Sequence, residues 1–106
     1  MKNWSPIIRR FKILLQALYG ERLERVVVFG SYARNEQRAD SDLDVLVVLN
    51  NEHVSAFAEI DRITEATFEL ILETGVDISY HPMTKTQFEK GQNPLLFFSR
   101  REGSAV

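Results

Sequence analysis

Two apolar runs constrain the fold of this 106-residue chain more than any other feature. Segments 25–29 (RVVVF) and 43–49 (LDVLVVL) are rich in β-branched residues and lack the strict apolar–polar alternation of a half-exposed strand. Such near-continuous runs predict strands that are covered on both faces. The rest of the chain must therefore supply helices that pack on a sheet.

The first helix is expected before the first strand. Ser5 is predicted as its N-cap and Pro6 as its first helical residue, and apolar residues then recur at helical spacing until Gly20. Between the two strands, segment 31–36 is expected to form a short helix, and Asn50 and Asn51 form a turn after the second strand.

A longer helix is expected after the second strand. Helical periodicity runs from Val54 to Thr74, and Gly75 occupies the position of a C-terminal cap. The simplest interpretation of the phenylalanines in and beyond this helix places them in the core; they are Phe57, Phe68, Phe88, Phe97 and Phe98.

The last part of the chain predicts one strand and short helices. Segment 76–81 alternates like a strand and is expected to end at Pro82, with His81 as a partly buried residue at its end or at the edge of a site. Thr84 can cap a helix that ends at Lys90, segment 95–98 suggests one or two more helical turns, and the end is expected to fray. For Trp4 two interpretations stay open: a position at the edge of the core, or a contact with a partner protein.

This order predicts one domain over residues 1–106, of the α/β (α+β) class, with helices packed on a small mixed β-sheet. The absence of cysteine excludes disulfides and thiolate zinc sites and fits a reducing cytoplasm. The apolar runs are too short to span a bilayer, so a soluble protein is expected. A net charge of −2 and a pI near 5.7 give no overall attraction to nucleic acid, and no direct nucleic-acid binding is expected.

The candidate site lies where the two strands meet the segment that joins them. Asp42 and Asp44 share a face because side chains alternate along a strand, and both can hold Mg²⁺. Gly30 and Ser31 offer close backbone approach, a hydroxyl and N–H groups to a phosphate. Asp77 could complete a three-acid metal site. These residue types fit phosphoryl or nucleotidyl transfer.

Simpler interpretations stay open for several of these residues. Asp77 could be a turn residue, and Ser31 could be an N-cap. Arg34 could bind phosphate or form a surface ion pair. Asp44 is different, because a carboxylate among the apolar residues of a buried strand is costly unless it is paired or binds metal.

The joint pattern resembles a known signature. Gly30-Ser31-Tyr32-Ala33-Arg34, ten residues between Ser31 and Asp42, Asp42-Leu43-Asp44 and then Asp77 are similar to the motif of the DNA polymerase beta nucleotidyltransferase superfamily. The short length and the Gly-Ser-x-Ala-Arg start resemble its minimal nucleotidyltransferase (MNT, MntA-like) branch. Asn35 replaces the glycine that many relatives have there.

The resemblance implies a polymerase-beta-like nucleotidyltransferase fold and an enzyme that transfers AMP from ATP. It implies catalytic and Mg²⁺-binding roles for Asp42, Asp44 and Asp77, and a nucleotide-binding role for Gly30 and Ser31. MNT proteins are typically antitoxins that modify a tyrosine of a HEPN-domain ribonuclease toxin, so a HEPN partner in a hetero-oligomer is expected. A non-catalytic antitoxin that occludes its toxin and a small-molecule nucleotidyltransferase subunit stay open as alternatives.

Overall fold

The computed structural model describes residues 4–29, 43–76, 78–91 and 104–105. The elements in this part of the chain are α1 (Trp4–Tyr19), a 3₁₀ turn (Gly20–Arg22), β1 (Leu23–Phe29), β2 (Leu43–Leu49), α2 (Ala56–Thr74), β3 (Ile78–Thr84), α3 (Lys85–Lys90) and β4 (Ser104–Ala105). The strands form one sheet in the order β3-β2-β1-β4. Strand β1 is antiparallel to β2 and β4, and β2 is parallel to β3. The predicted α/β (α+β) class with a small mixed sheet is confirmed.

The sheet is covered on both faces, as the two apolar runs predicted. On one face α1 and α2 pack against alternate residues of the strands and form the main core, whose buried members are Ile8, Phe11, Leu15, Tyr19, Val26, Val28, Val45, Val47, Leu49, Ile63, Leu70 and Val76. On the other face a smaller core contains Val27, Leu46, Val48 and Phe88 of α3. This double cover explains why β1 and β2 lack alternation.

The ends of two helices follow their capping residues. The Ser55 hydroxyl accepts a hydrogen bond from the Ala58 N–H at 3.4 Å, and α2 begins at the next residue. The predicted cap Gly75 is confirmed, because its φ of 66° is left-handed and its N–H donates to the Ile71 carbonyl at 2.8 Å. The cap predicted at Thr84 is also confirmed, by a reciprocal capping box with Gln87.

The predicted start of the first helix is wrong by two residues. Helix α1 begins at Trp4, so Ser5 lies inside its first turn rather than at the N-cap. Pro6 is tolerated there because the first N–H groups of a helix have no intrahelical acceptor. The side chain of Trp4 lies outside what the structure describes.

The prediction that the third strand ends at Pro82 is wrong. Strand β3 continues to Thr84, and Pro82 is paired in register with Val47 of β2. In the described sheet β3 is an edge strand, which has a neighbour on one side alone. A residue whose N–H would point outward can then be proline without loss of a ladder hydrogen bond. His81 consequently lies within the strand and not at its end.

Two of the phenylalanines assigned to the core lie at the surface. Phe57 is 92% exposed and Phe68 is 56% exposed, whereas Phe88 is buried as predicted. Both exposed rings lie on α2, where other apolar residues already fill the sheet-facing side. The predictions for Phe97 and Phe98 lie outside the described residues.

The expected frayed end is also wrong, because β4 pairs with Val27 and Val28 of β1. The short helix predicted at 31–36 and the helical turns predicted at 95–98 lie outside the described residues. In the described ranges, α1, α2 and α3 are each too short or too polar to cross a membrane.

Candidate functional site

The ends of three strands lie side by side, and the border of the sheet that they form is the edge at which the candidate site lies. The carboxyl end of β1 lies beside the amino end of β2, because these strands are antiparallel, and the amino end of β3 lies beside that of β2, because these are parallel. In consequence Phe29, Asp44 and Ser79 are paired in one row across three neighbouring strands. The connection from β1 to β2 leaves and re-enters the sheet at this edge.

Strand alternation places Asp44 on the face of the sheet opposite to α1 and α2. Asp44, Leu46 and Val48 share that face, and Leu46 and Val48 are buried in the smaller core. Helix α3 covers this core through Phe88. Asp44 is the next residue of β2 on this face, two residues before the buried Leu46, and its side chain is 32% exposed. A carboxylate in this position can reach a ligand at the sheet edge while its backbone is fixed by β1 and β3.

The side chain of His81 lies close to this carboxylate. Its Nε2 atom is buried and lies 3.8 Å from Oδ1 of Asp44, and its side chain is 31% exposed. The register explains the contact, because His81 is paired with Leu46, two residues from Asp44 on the same face. The distance exceeds that of a hydrogen bond, so the attraction is electrostatic and operates when the imidazole is protonated.

Of the predicted site residues, the structure describes Asp44. Gly30, Ser31, Arg34, Asp42 and Asp77 lie outside the described residues. In the described ranges there is no cluster of three or more histidine, aspartate or glutamate side chains that could hold a metal. The predicted three-acid site therefore stays a prediction.

The contact between His81 and Asp44 is a feature that the sequence indicated only in part. Alternation along β3 places His81 on the face that it shares with Ser79, but the partner strand and its direction are not written in the sequence. The parallel register of β2 and β3 is what brings His81 to Asp44. Ser79, paired directly with Asp44 and half-buried, belongs to the same surface.

Comparison with known proteins identifies relatives over almost the whole chain. The family model described as "Nucleotidyltransferase domain" matches residues 8–102. A Methanocaldococcus jannaschii protein named as a candidate protein adenylyltransferase is 32% identical over 91 residues, which cover 81% of this chain and 88% of the relative.

Solved structures with the same fold include two informative ones. A candidate minimal nucleotidyltransferase is 27% identical, with a TM-score of 0.64 over 99% of this chain and 97% of that chain. A toxin–antitoxin crystal structure with AMP-PNP has a TM-score of 0.63 and 19% identity over 91% of this chain and 69% of that chain. At that identity the second structure shows a shared fold.

Proposed function

The chain belongs to the nucleotidyltransferase family, and on that premise we propose that it transfers AMP from ATP to a hydroxyl of a protein partner. The name of the relative from Methanocaldococcus jannaschii supports a protein acceptor. The fold shared with a toxin–antitoxin structure that holds AMP-PNP supports a toxin as the partner and ATP as the donor. We assign the chain as a one-domain cytoplasmic antitoxin that modifies a tyrosine of a HEPN-domain toxin in a hetero-oligomer.

The observation that carries the proposal is the row of Phe29, Asp44 and Ser79 at one sheet edge. Gly30, Asp42 and Asp77 are close in the chain to this edge: Gly30 follows Phe29, and Asp42 stands two residues before Asp44. Asp77 stands two residues before Ser79, which is the partner of Asp44. Successive Cα atoms are about 3.8 Å apart. Asp42 and Asp77, each two residues from the row that contains Asp44, therefore need to cross a short distance to meet it.

The residue types predicted for this edge are those that suit a magnesium ion. Mg²⁺ prefers hard oxygen ligands and binds through one or two carboxylates together with substrate phosphates. Asp44 offers a partly exposed carboxylate on a backbone fixed from both sides by strands. In the proposed site Asp42, Asp44 and Asp77 would hold the ion, which would neutralise charge on the triphosphate.

The proposed reaction breaks one bond and forms one. The oxygen of the acceptor hydroxyl attacks the α-phosphorus of ATP, the bond from that phosphorus to the bridging oxygen of the β-phosphate breaks, and pyrophosphate leaves. The hydroxyl loses its proton, which we assign to the Asp77 carboxylate. Gly30 and Ser31 hold the phosphates through backbone N–H groups and a hydroxyl, and Arg34 adds a cation.

The test is transfer of radiolabel to the cognate partner. The purified chain is incubated with Mg²⁺, the protein encoded by the neighbouring gene and ATP labelled at the α- or the γ-phosphate. The α-label is expected to appear on the partner and the γ-label is not, because AMP and not phosphate is transferred. Tyrosine is expected as the modified residue in peptide mass spectrometry.

Matched variants separate this reaction from occlusion. Asp44→Asn keeps the shape of the side chain and removes its charge, and it is expected to slow labelling at least about 10²-fold, whereas Asp61→Asn on the exposed side of α2 is expected to keep the wild-type rate. An Asp44→Asn protein that labels its partner at the wild-type rate would contradict the proposed site. A partner that stays unlabelled but loses its toxicity on binding would favour the non-catalytic alternative.

A further inference from the structure

A histidine stands where the packing of the smaller core would favour an apolar side chain. Val27, Leu46 and His81 are paired in one row across β1, β2 and β3, and the first two are buried. Two residues further along β3, Met83 packs against the same core. An imidazole contributes less to an apolar core than a hydrocarbon side chain does, so His81 indicates a role in addition to packing.

The ring of His81 presents its Nε2 atom to Asp44. This atom is buried and lies 3.8 Å from Oδ1 of Asp44, whereas both side chains as a whole are partly exposed. Bulk water therefore does not reach the nitrogen directly, while a small ion can reach the carboxylate. A neutral imidazole that carries its hydrogen on Nδ1 has a lone pair at Nε2, and this is the form that binds metal ions.

The distance between these two atoms suits two ligands of one cation. Imidazole nitrogens and carboxylate oxygens bind Zn²⁺ at about 2.0–2.2 Å, so two such ligands of one ion lie no more than about 4.3 Å apart. A tetrahedral ion with bonds of this length separates its ligands by roughly 3.4 Å. From the observed 3.8 Å, Oδ1 of Asp44 would need to move by about 0.4 Å, which a side-chain rotation supplies without movement of the strands.

The two strands hold both residues in this arrangement. Strands β2 and β3 are parallel neighbours in register over the whole of β2, and His81 is paired with Leu46, two residues from Asp44. Pro82 follows His81 and restricts the backbone beside it. Ligands on such fixed backbones lose little conformational freedom when an ion binds, so the pair is preorganised.

We propose that Nε2 of His81 is a ligand of the cation that Asp44 binds, and that the site accepts a divalent first-row transition-metal ion in addition to Mg²⁺. Mg²⁺ prefers oxygen ligands, whereas imidazole suits ions such as Zn²⁺. The inference rests on the proposed function in one respect, namely that Asp44 is a metal ligand. It adds a nitrogen ligand to the three predicted acids, and its test requires neither ATP nor an acceptor.

Nuclear magnetic resonance of the histidine rings tests this contact in the wild-type chain. The chain has two histidines, so comparison with His53→Gln assigns their ring signals. When ZnCl₂ is added without nucleotide, the nitrogen resonance of Nε2 of His81 is expected to shift as this atom binds the ion. In Asp44→Asn the same shift is expected to require at least about tenfold more ZnCl₂. The ring signals of His53, which is exposed, are expected to stay unchanged at the concentration that saturates His81.

Matched variants separate a metal ligand from a structural residue. In isothermal titration calorimetry, His81→Gln is expected to bind ZnCl₂ at least about tenfold more weakly than the wild type. The Mg²⁺ concentration that gives half-maximal labelling of the partner is expected to stay within about twofold of the wild-type value, because Mg²⁺ uses oxygen ligands. His53→Gln is the control, with the same substitution at the exposed histidine, and is expected to match the wild type in both measurements. Circular dichroism verifies that each variant is folded.

The outcomes distinguish failure of this inference from failure of the proposed function. An Nε2 resonance of His81 that ZnCl₂ leaves unchanged would overturn the inference, even in a chain that labels its partner. The same holds for a His81→Gln chain that binds ZnCl₂ as tightly as the wild type, or that loses its response to Mg²⁺ together with its affinity for ZnCl₂. Conversely, a shifted Nε2 resonance in a chain that labels no partner with Mg²⁺ would contradict the proposed function and support the nitrogen ligand.

Discussion

The buried hydrogen bond between Tyr19 and Glu59 offers a sharp test of the packing of α1 on α2. The Tyr19 hydroxyl donates to Oε1 of Glu59 at 3.0 Å, and both residues are buried, with 5% and 6% exposure. Arg62 donates to both carboxylate oxygens at 3.3 and 3.2 Å, so Glu59 keeps a charged partner when the phenol is removed. Tyr19→Phe therefore removes one hydrogen bond to a charged group and leaves the ring in place.

The expected cost follows from the charge of the acceptor. A hydrogen bond to an ionised group contributes about 1.5–3 kcal/mol, against roughly 1 kcal/mol for a neutral pair. We expect Tyr19→Phe to lower the free energy of unfolding by about 2 kcal/mol. With an unfolding entropy of about 2.1 cal/mol/K per residue, that loss lowers the Tm by about 9 °C.

Tyr80→Phe is the matched control, because it removes a hydroxyl whose partner is neutral. Thr67 already donates its single hydroxyl hydrogen to the Ile63 carbonyl at 2.8 Å, so Tyr80 is the donor in the 2.8 Å contact between the two hydroxyls. We expect Tyr80→Phe to cost about 1 kcal/mol. Urea denaturation at neutral pH, followed by circular dichroism, measures both values. A cost for Tyr19→Phe equal to or below that of Tyr80→Phe would refute the reasoning.

Four further outcomes are expected. Burial, reinforced by the Glu59 hydrogen bond, raises the pKa of Tyr19. The stability that its neutral phenol contributes is therefore complete below pH 10 and declines above it. Urea midpoints measured as the pH rises above 10 should decline less for Tyr19→Phe than for the wild type. Gly75→Ala is expected to cost about 1 kcal/mol in urea denaturation through backbone strain alone, because the added Cβ would meet nothing within 4 Å. Thr84→Ala removes the capping box of α3 and is expected to cost about 1 kcal/mol in the same assay. In the labelling assay Asp44→Asn should lower the transfer rate at least about 10²-fold, with little change in Tm because its side chain is partly exposed.

Local chemistry in the sequence was sufficient to predict the limits of several elements. Strand β2 occupies residues 43–49 as predicted, and α2 ends at Thr74 before its cap Gly75, whose left-handed φ of 66° few other residues adopt easily. Asp44 was predicted as a site residue because a carboxylate inside an apolar strand requires a partner. The structure places it partly exposed at the sheet edge, 3.8 Å from His81. The confirmed limits of β2 and α2 rest on features within a few residues of the position concerned, whereas the site role of Asp44 stays a prediction.

The failures come from features that depend on distant parts of the chain. Helical periodicity does not state which of several apolar residues faces the sheet, so the prediction that Phe57 and Phe68 lie in the core is wrong. Pro82 was expected to end a strand, and it does not, because β3 has a described neighbour on one side alone. Strand order and direction, which decide the contact of Asp44 with His81, are set by packing and not by local sequence.

The two faces of the sheet have different roles because odd- and even-numbered residues of β2 point to opposite faces. Its odd-numbered positions from Val45 to Leu49 are fully buried against α1 and α2, so that face can carry no polar function without loss of the main core. The even-numbered face needs a cover for Leu46 and Val48 alone, which α3 supplies through Phe88. Asp44, the next even position, is 32% exposed and lies at the edge where the β1–β2 connection begins and ends. The carboxylate of Asp44 is therefore attached to a rigid strand backbone, and it is accessible to a ligand at the amino end of β2.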